Sequence, residues 1–158
     1  PLTPLQIMLP KVLSMTVVIL CATAVGLFGI MQPVFGVPIK GSIVLFFSLT
    51  ALFVFTTAGM GLAAATLARN QAQVGMMTFF VVAPMLLLSG LMAPMEAMPE
   101  WVRHLMVLSP LRYFVEITHG ILLKGAGLKV LWDSVLAMAV LGAALFGFGV
   151  WRFRRQFE

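Results

Sequence analysis

Three ionisable side chains on one predicted helix are the best candidates for chemistry in this sequence. Arg112, Glu116 and His119 follow Pro110 at i, i+4 and i+7 spacing, which places them on one helical face. An arginine and a glutamate four residues apart can form an ion pair, which is stronger in a partly dry site than in water. The spacing predicts that Arg112 and Glu116 pair and hold their helix in shape, and the alternative is that they belong to an outward gate.

Other kinds of chemistry lack the residues they need. His104 and His119 have no nearby pair of carboxylates that would complete a metal site, and the single cysteine, Cys21, excludes an internal disulfide. Neither a phosphate-binding loop of the form G-x-x-x-x-G-K-[ST] nor a G-x-S-x-G nucleophile motif occurs. The sequence therefore predicts no catalytic residue, no metal and no cofactor.

Apolar residues dominate the composition. Of the 158 residues, 61% are hydrophobic and 9% are charged, whereas a soluble domain carries roughly a quarter charged residues. This excess predicts that lipid surrounds most of the chain. The formal net charge of +5 could suggest nucleic acid, but the ten lysines and arginines stand singly or in one short cluster beside apolar runs. Basic residues in such places anchor spans and contact anionic lipid, so we expect membrane lipid and no nucleic acid as partners.

Four apolar segments are long enough to cross a membrane, which takes about 20 helical residues. The predicted spans are residues 12–31, 43–68, 74–92 and 131–151, with a kink at Pro84. Their interiors hold no ionisable side chain except Asp133 at one edge, which argues against a proton- or ion-coupled carrier. The predicted fold class is an all-α polytopic membrane protein with about four transmembrane helices.

The connections between these spans differ in kind. Residues 32–42 and 68–73 predict a short loop and a tight polar turn, whereas residues 93–127 predict a hairpin of two short helices. A helix that starts at Ser109-Pro110 and ends before Gly125 is too short to cross, so the hairpin lies at the interface or re-enters the membrane. Three prolines stand at the predicted helix starts of this hairpin: Pro94, Pro99 and Pro110.

The two ends of the chain have their own signatures. Thr3 and Gln6 match a capping box with Pro4 at the first helical position, and Pro10 predicts the end of a short interfacial helix within residues 1–11. The tail, residues 152–158, is basic. An even number of spans puts both ends of the chain on the same side of the membrane. That side then carries five lysines and arginines, and the opposite side also carries five. This count decides no orientation, although the basic tail favours cytoplasmic ends.

Small residues recur every four positions in two of the spans. Such rows let helix backbones approach closely in lipid, so they predict packing within the bundle. The alternative is a surface for further spans or a second copy. The rows are Ala139, Ala143 and Gly147 in the last span, with Gly59–Ala63 and Gly61–Ala65 in the second.

Several short motifs occur in a fixed order along the whole chain. PLTPLQIMLPK opens it, ARNQAQ joins two spans, and LLLSGLMAPMEAMPEWVRHLMVLSPLRYFVEITHGILLKGAG follows the third span. This ordered set resembles the C-terminal half of ABC type-2 exporter permeases. The resemblance implies an earlier pair of spans and a large extracytoplasmic domain, so we expect that this stretch alone does not transport.

The resemblance also implies roles for particular segments. It implies a cytoplasmic coupling helix that docks on a separate ABC ATPase, an extracytoplasmic re-entrant hairpin at residues 93–127, and cytoplasmic chain ends in a bacterial inner membrane. It further implies a dimer with a second permease copy or a homologue. The expected function is outward movement of drugs, lipids or other amphiphiles, and the alternative is a non-transporting scaffold or accessory subunit. The residues expected to meet the ATPase are Pro4, Leu5, Met8 and Leu9.

Overall fold

Helices make up the architecture of this protein, seen in a computed structural model that describes the backbone of residues 4–156 and the side chains of residues 6–156. No strand occurs among these residues, which confirms the predicted all-α fold class. The elements in chain order are α1 (Pro4–Gly26), a π turn (Leu27–Met31), α2 (Gln32–Phe35), α3 (Ile43–Leu67), α4 (Gln71–Leu87), a 3-10 turn (Met95–Ala97), α5 (Glu100–Met106), α6 (Pro110–Leu122) and α7 (Leu128–Gln156).

Three helices in the described part of the chain are long and apolar enough to cross a membrane, one fewer than the four predicted. They are the continuous helix that ends at Phe35, α3 and α7. The fourth segment, α4, has 17 residues. It is therefore about 26 Å long, short of the roughly 30 Å of a hydrocarbon core. The predicted span 74–92 extends beyond the end of α4 at Leu87, because Gly90 takes a left-handed φ of 86° and the chain turns there into the hairpin.

Pro10, predicted to end a short helix, and Pro33, which belongs to the predicted loop of residues 32–42, both lie within the first long helix. The prediction that a short interfacial helix ends at Pro10 is wrong. Helix α1 continues through Pro10 into the span, at the cost of one backbone hydrogen bond. Pro33 follows the π turn, whose wider winding accommodates a residue without an N–H group. The connection to α3 therefore begins only at Gly36, which caps the helix with a φ of 63°. Thr3 of the predicted capping box lies outside the described residues.

The hairpin between α4 and α7 has the predicted starts. Pro94 precedes the 3-10 turn, Pro99 is the N-cap of α5, and Pro110 is the first residue of α6. The second helix ends just before Gly125, which has a φ of 66°. Ser109 occupies the N-cap position, but its side chain makes no capping hydrogen bond.

The closest helix pair is α3 with α7. A Cβ atom on Gly59 would lie 2.8 Å from the backbone nitrogen of Phe146, so only glycine fits at this crossing. Across the same interface, the Thr56 hydroxyl donates to the Met138 carbonyl at 3.4 Å. The Phe55 and Phe146 rings stack at 4.6 Å. Close backbone approach and dispersion contacts hold the two helices together, as expected for helices in lipid.

The apolar core lies at the hairpin end of the bundle, where α6 inserts between α3 and α7. The inward face of α6 presents Tyr113, Ile117 and Ile121, which follow each other every four residues and are 0–8% exposed. The core they join comprises Leu27, Phe46, Leu49, Tyr113, Ile117, Ile121, Leu122, Leu131 and Met138.

The opposite end of the bundle carries both ends of the described chain. The Gln156 side chain near the end of α7 donates through Nε2 to the Thr66 carbonyl at 2.5 Å, in the last turn of α3. The Arg155 guanidinium lies 4.8 Å from the centre of the Trp151 ring. We call this the basic end, because the charged side chains described there are Lys11, Arg69, Arg152, Arg154 and Arg155.

Candidate functional site: the hairpin and an apolar groove

Two contacts fix how deeply α6 enters the bundle. The Lys40 amide donates to the Leu122 carbonyl at 3.1 Å, so the end of α6 lies just before the start of α3. Towards the other end of α6, the Phe114 ring stacks on Phe53 at 4.3 Å. Phe53 is ten residues into the 25-residue α3. Phe53 therefore lies near the middle of α3 and not at its end. The helix α6 therefore re-enters the bundle instead of lying across its end.

This depth changes the setting of the predicted ion pair. Arg112 lies two residues beyond Phe114 on the deeper side, and Glu116 lies two residues towards the outside. Both side chains are thus at the level of the spans, although no span contains them. A charge at the centre of a spanning helix costs about 2.5–3.5 kcal/mol on insertion scales, and charges retained among spans usually have partners.

The predicted pair between Arg112 and Glu116 does not form in this structure. In the part of the chain that is described, no carboxylate oxygen lies within the 4.0 Å of an Arg112 nitrogen that would make an ion pair, and Arg112 Nε is buried without a hydrogen-bond partner. The guanidinium instead lies 5.7 Å from the centre of the Tyr113 ring. Glu116 and His119 are exposed on the outer face of α6. The structure therefore gives no support for an Arg112–Glu116 ion pair that holds α6 in shape.

Polar atoms without partners concentrate on α6. Besides Arg112 Nε, the hydroxyls of Ser109 and Thr118 are buried and unbonded. Tyr113 differs, because its hydroxyl donates to the Val107 carbonyl at 2.7 Å and ties α6 to the end of α5. The hairpin is anchored in this way, while the three buried atoms on α6 and at its N-cap keep unmet bonding capacity.

An apolar groove of about 530 Å³ lies between α1, α3 and α4. No charged side chain lines it, and its polar side chains are the hydroxyls of Thr57 and Thr78. Gly61 lines its wall, and a Cβ atom there would meet nothing within 4 Å. The volume lies within the roughly 300–1,000 Å³ of small-molecule sites, and the lining suits an apolar guest.

The candidate docking residues lie at the start of α1, at the basic end. Met8 is half-buried and Leu9 is 46% exposed. The side chains of Pro4 and Leu5 lie outside the described part of the structure, although their backbones belong to α1. Leu9 is exposed near the start of the first long apolar helix, which is compatible with a contact to another protein.

The predicted small-residue rows divide between two surroundings. Gly59 lies in the α3–α7 contact. Gly61 instead faces the groove, while Ala143 and Gly147 are exposed and Ala139 is half-buried. The glycines of α7 that approach α3 are Gly142, against Thr56, and Gly149, against Leu62.

Two features of the structure were missed in the sequence. Asn70 caps α4 by accepting from the Gln73 amide at 2.9 Å, and Gln73 Oε1 accepts from the Arg69 amide at 2.7 Å. The spacing of an asparagine and a glutamine three residues apart could have predicted this cap. No sequence signal marks the second feature, the contact of Gly41 with the backbone of Ile121, because it joins residues far apart in the chain.

Comparison with known proteins places this architecture in a family. Residues 1–123 match the ABC-2 type transporter family. Over 155 residues the chain is 37% identical to the inner membrane transport permease YhhJ of Escherichia coli, covering 98% of this chain and 41% of that protein. It is 33% identical over 157 residues to the Escherichia coli protein named probable multidrug ABC transporter permease YbhR, covering 99% of this chain and 42% of that protein.

A more distant relative is ABC transporter G family member 20 of Dictyostelium discoideum, which is 29% identical over 106 residues, covering 66% of this chain and 14% of that protein. No solved structure gives a significant match. The chain spans about two fifths of the length of YhhJ and YbhR. The helical membrane architecture and these matches agree with the resemblance in the motifs, and the chain belongs to the ABC-2 type transporter family.

Proposed function

We propose that this chain is the membrane-spanning, C-terminal part of an ABC exporter permease that moves amphiphilic molecules outward with energy from a separate ATPase. The observation that carries this proposal is the groove between α1, α3 and α4, which has the volume and the uncharged lining that an apolar guest requires. The name of YbhR, probable multidrug ABC transporter permease, supports the same class of cargo.

The energy source is inferred from the relatives, which are named as transport permeases. These 158 residues contain no phosphate-binding loop. Ionisable groups that could couple transport to protons are few at membrane depth, and they belong to α6 and not to the groove. We therefore assign ATP hydrolysis to a partner ATPase that docks at Pro4, Leu5, Met8 and Leu9 in the cytoplasm, with the hairpin on the outer side of a bacterial inner membrane.

Filling the groove tests the proposed cargo site. The full-length permease and its ATPase would be placed in inverted membrane vesicles, and ATP-dependent uptake of a fluorescent amphiphilic dye would be measured. Gly61→Phe projects a ring into the groove and should abolish most of this uptake. Gly75→Phe is a matched control, because Gly75 also has open space around it but does not line the groove. Equal uptake by the two variants would reject the groove as the cargo site.

Charge placed on the start of α1 tests the docking surface. Met8→Asp combined with Leu9→Asp should prevent the ATPase from co-purifying while membrane insertion is retained, since desolvating two carboxylates disfavours an apolar interface. Leu128→Asp is the control, because Leu128 is 51% exposed at the other end of the bundle. Unchanged co-purification would move the docking surface elsewhere, for example to residues 68–73. An ATPase that binds without any ATP-dependent uptake would favour the scaffold alternative.

A further inference from the structure

The last turns of α7 carry arginines and aromatic rings on one side of the helix. Phe148, Trp151, Arg152 and Arg155 follow each other at i, i+3, i+4 and i+7, which places them along one face. The rings of Phe148 and Trp151 lie 6.1 Å apart and are 42% and 49% exposed. Gly149, which packs against α3, lies on another side of α7. We call these four residues the aromatic–arginine face.

Two tryptophans indicate where this face lies relative to the membrane. Trp132 and Trp151 are 19 residues apart on α7 and both are exposed. The rise between them is about 28 Å, close to the roughly 30 Å of a hydrocarbon core. Because exposed tryptophans concentrate at the level of lipid headgroups, Trp151 marks one interface. Phe148 then lies one turn deeper, in hydrocarbon, and Arg155 one turn further out, among the headgroups.

The two arginines of this face have no counterion among the described residues. Arg152 Nε is buried without a hydrogen-bond partner. The Arg155 guanidinium lies 4.8 Å from the centre of the Trp151 ring, a contact that gives its N–H groups no oxygen acceptor. Glu158 lies outside the described residues. The carboxylates of residues 6–156 belong to the hairpin and to the opposite end of α7: Glu96, Glu100, Glu116 and Asp133.

We propose that Arg152 and Arg155 bind the phosphate of an anionic phospholipid in the leaflet at the basic end. A guanidinium matches the geometry of phosphate oxygens and forms charge-assisted hydrogen bonds with them. Trp151 would pack against the glycerol region of this lipid and Phe148 against the first part of its acyl chains. The Gln156 side chain donates to the Thr66 carbonyl and thereby fixes the end of α7 on α3, so the site stands on an anchored helix.

The composition of this face favours an anionic lipid over the other possible occupants. An acidic protein surface would reach the arginines from water but would leave the exposed ring of Phe148 uncovered on the hydrocarbon side. A zwitterionic lipid also carries a phosphate, but its amine would add a third positive charge beside Arg152 and Arg155. A lipid with a net negative charge supplies both the counterion and the apolar cover.

Fluorescence quenching by brominated lipids tests this site. The full-length permease, with Trp151 as its only tryptophan, would be reconstituted in mixtures of phosphatidylcholine and phosphatidylglycerol, with either lipid brominated. The relative binding constant at Trp151 should favour phosphatidylglycerol about fivefold, the effect of one basic residue near an anionic surface. Arg152→Gln combined with Arg155→Gln should bring this ratio close to one. Unchanged quenching in pure brominated phosphatidylcholine would show that Trp151 of this double variant still faces lipid.

A protein whose only tryptophan is Trp132 is the matched control. Trp132 is exposed on the same helix, but Lys129 and Asp133 beside it carry opposite charges, so its ratio should stay near one. Equal ratios at Trp151 and Trp132, or a ratio at Trp151 that the double variant leaves unchanged, would overturn the proposal. A ratio near one at Trp151, with loss of ATPase co-purification in the double variant, would assign the arginines to the ATPase and also overturn it. The measurement needs no transport, so its outcome is independent of the proposed function.

Discussion

Replacing Gly59 with alanine would insert a methyl group into the closest contact between α3 and α7. The new Cβ atom would lie 2.8 Å from the nitrogen and 3.0 Å from the Cα of Phe146. Both are backbone atoms, so no side chain can rotate away. Ordinary van der Waals contact begins at 3.4 Å, so the two helices would have to separate by about 0.6 Å at this point.

The expected cost combines two opposing effects. Forcing an extra methyl group into a well-packed interior costs about 1–3 kcal/mol. Alanine in place of glycine favours the helix by roughly 0.5–1 kcal/mol, because the unfolded chain loses less freedom. Gly61→Ala, two residues away on the same helix, meets open space and so gains only the second term. The free energies of unfolding of the two variants should therefore differ by about 1–3 kcal/mol, which is the cost of overpacking.

Unfolding by SDS in mixed micelles, followed by tryptophan fluorescence, would measure this difference. The chain has three tryptophans, of which Trp132 and Trp151 lie on α7 and report its separation from α3. Gly61→Ala should be at least as stable as the unaltered protein, and Gly59→Ala should be less stable than both. Equal stability of the two variants would refute the inferred close crossing of α3 and α7.

Three further predictions follow from contacts at the hairpin and from the proposed orientation. Gly41→Ala would bring its Cβ atom into overlap with the backbone at the end of α6, so it should speed hydrogen exchange of the α6 amides. Gly127→Ala is the control, because its Cβ atom would meet no other atom and exchange should not change. Equal exchange in the two variants would contradict the contact. Tyr113→Phe removes the 2.7 Å bond to the end of α5 and should lower the free energy of unfolding by about 0.5–1.5 kcal/mol in the same SDS titration. In a cysteine-free background, a membrane-impermeant thiol reagent applied outside should label cysteine at Ala97 but not at Gln156, and the reverse pattern would contradict the orientation.

Local signals in the sequence predicted most element types and several starts. Runs of apolar residues without charges predicted α1, α3 and α7, because only a helix satisfies its own backbone in lipid. The prolines of the hairpin predicted where its helices begin, since a proline at the first helical position loses no hydrogen bond. At Pro10 the same residue type gave a wrong prediction of a helix end. Pro10 lies inside α1, because the surrounding apolar run continues in one helix.

The small-residue rows show why packing partners were harder to predict. Gly59 and Gly61 have the same residue type in the same helix, yet one meets the backbone of α7 and the other lines the groove. In α7, the predicted row with Ala143 and Gly147 is exposed, while Gly142 and Gly149 face α3. Spacing predicts which residues share a face, but the rotation of the helix in the bundle decides where that face points.

The sequence by itself determined that this is a helical membrane protein of the ABC-2 type transporter family, because composition and ordered motifs are properties of the chain alone. It also placed Arg112 and Glu116 on one face of a short helix. Only the tertiary structure decided that this helix packs beside Phe53 and that the two charges form no ion pair among the described residues. The reason is physical: depth and partners depend on which distant segments pack against α6, and no local pattern encodes those contacts.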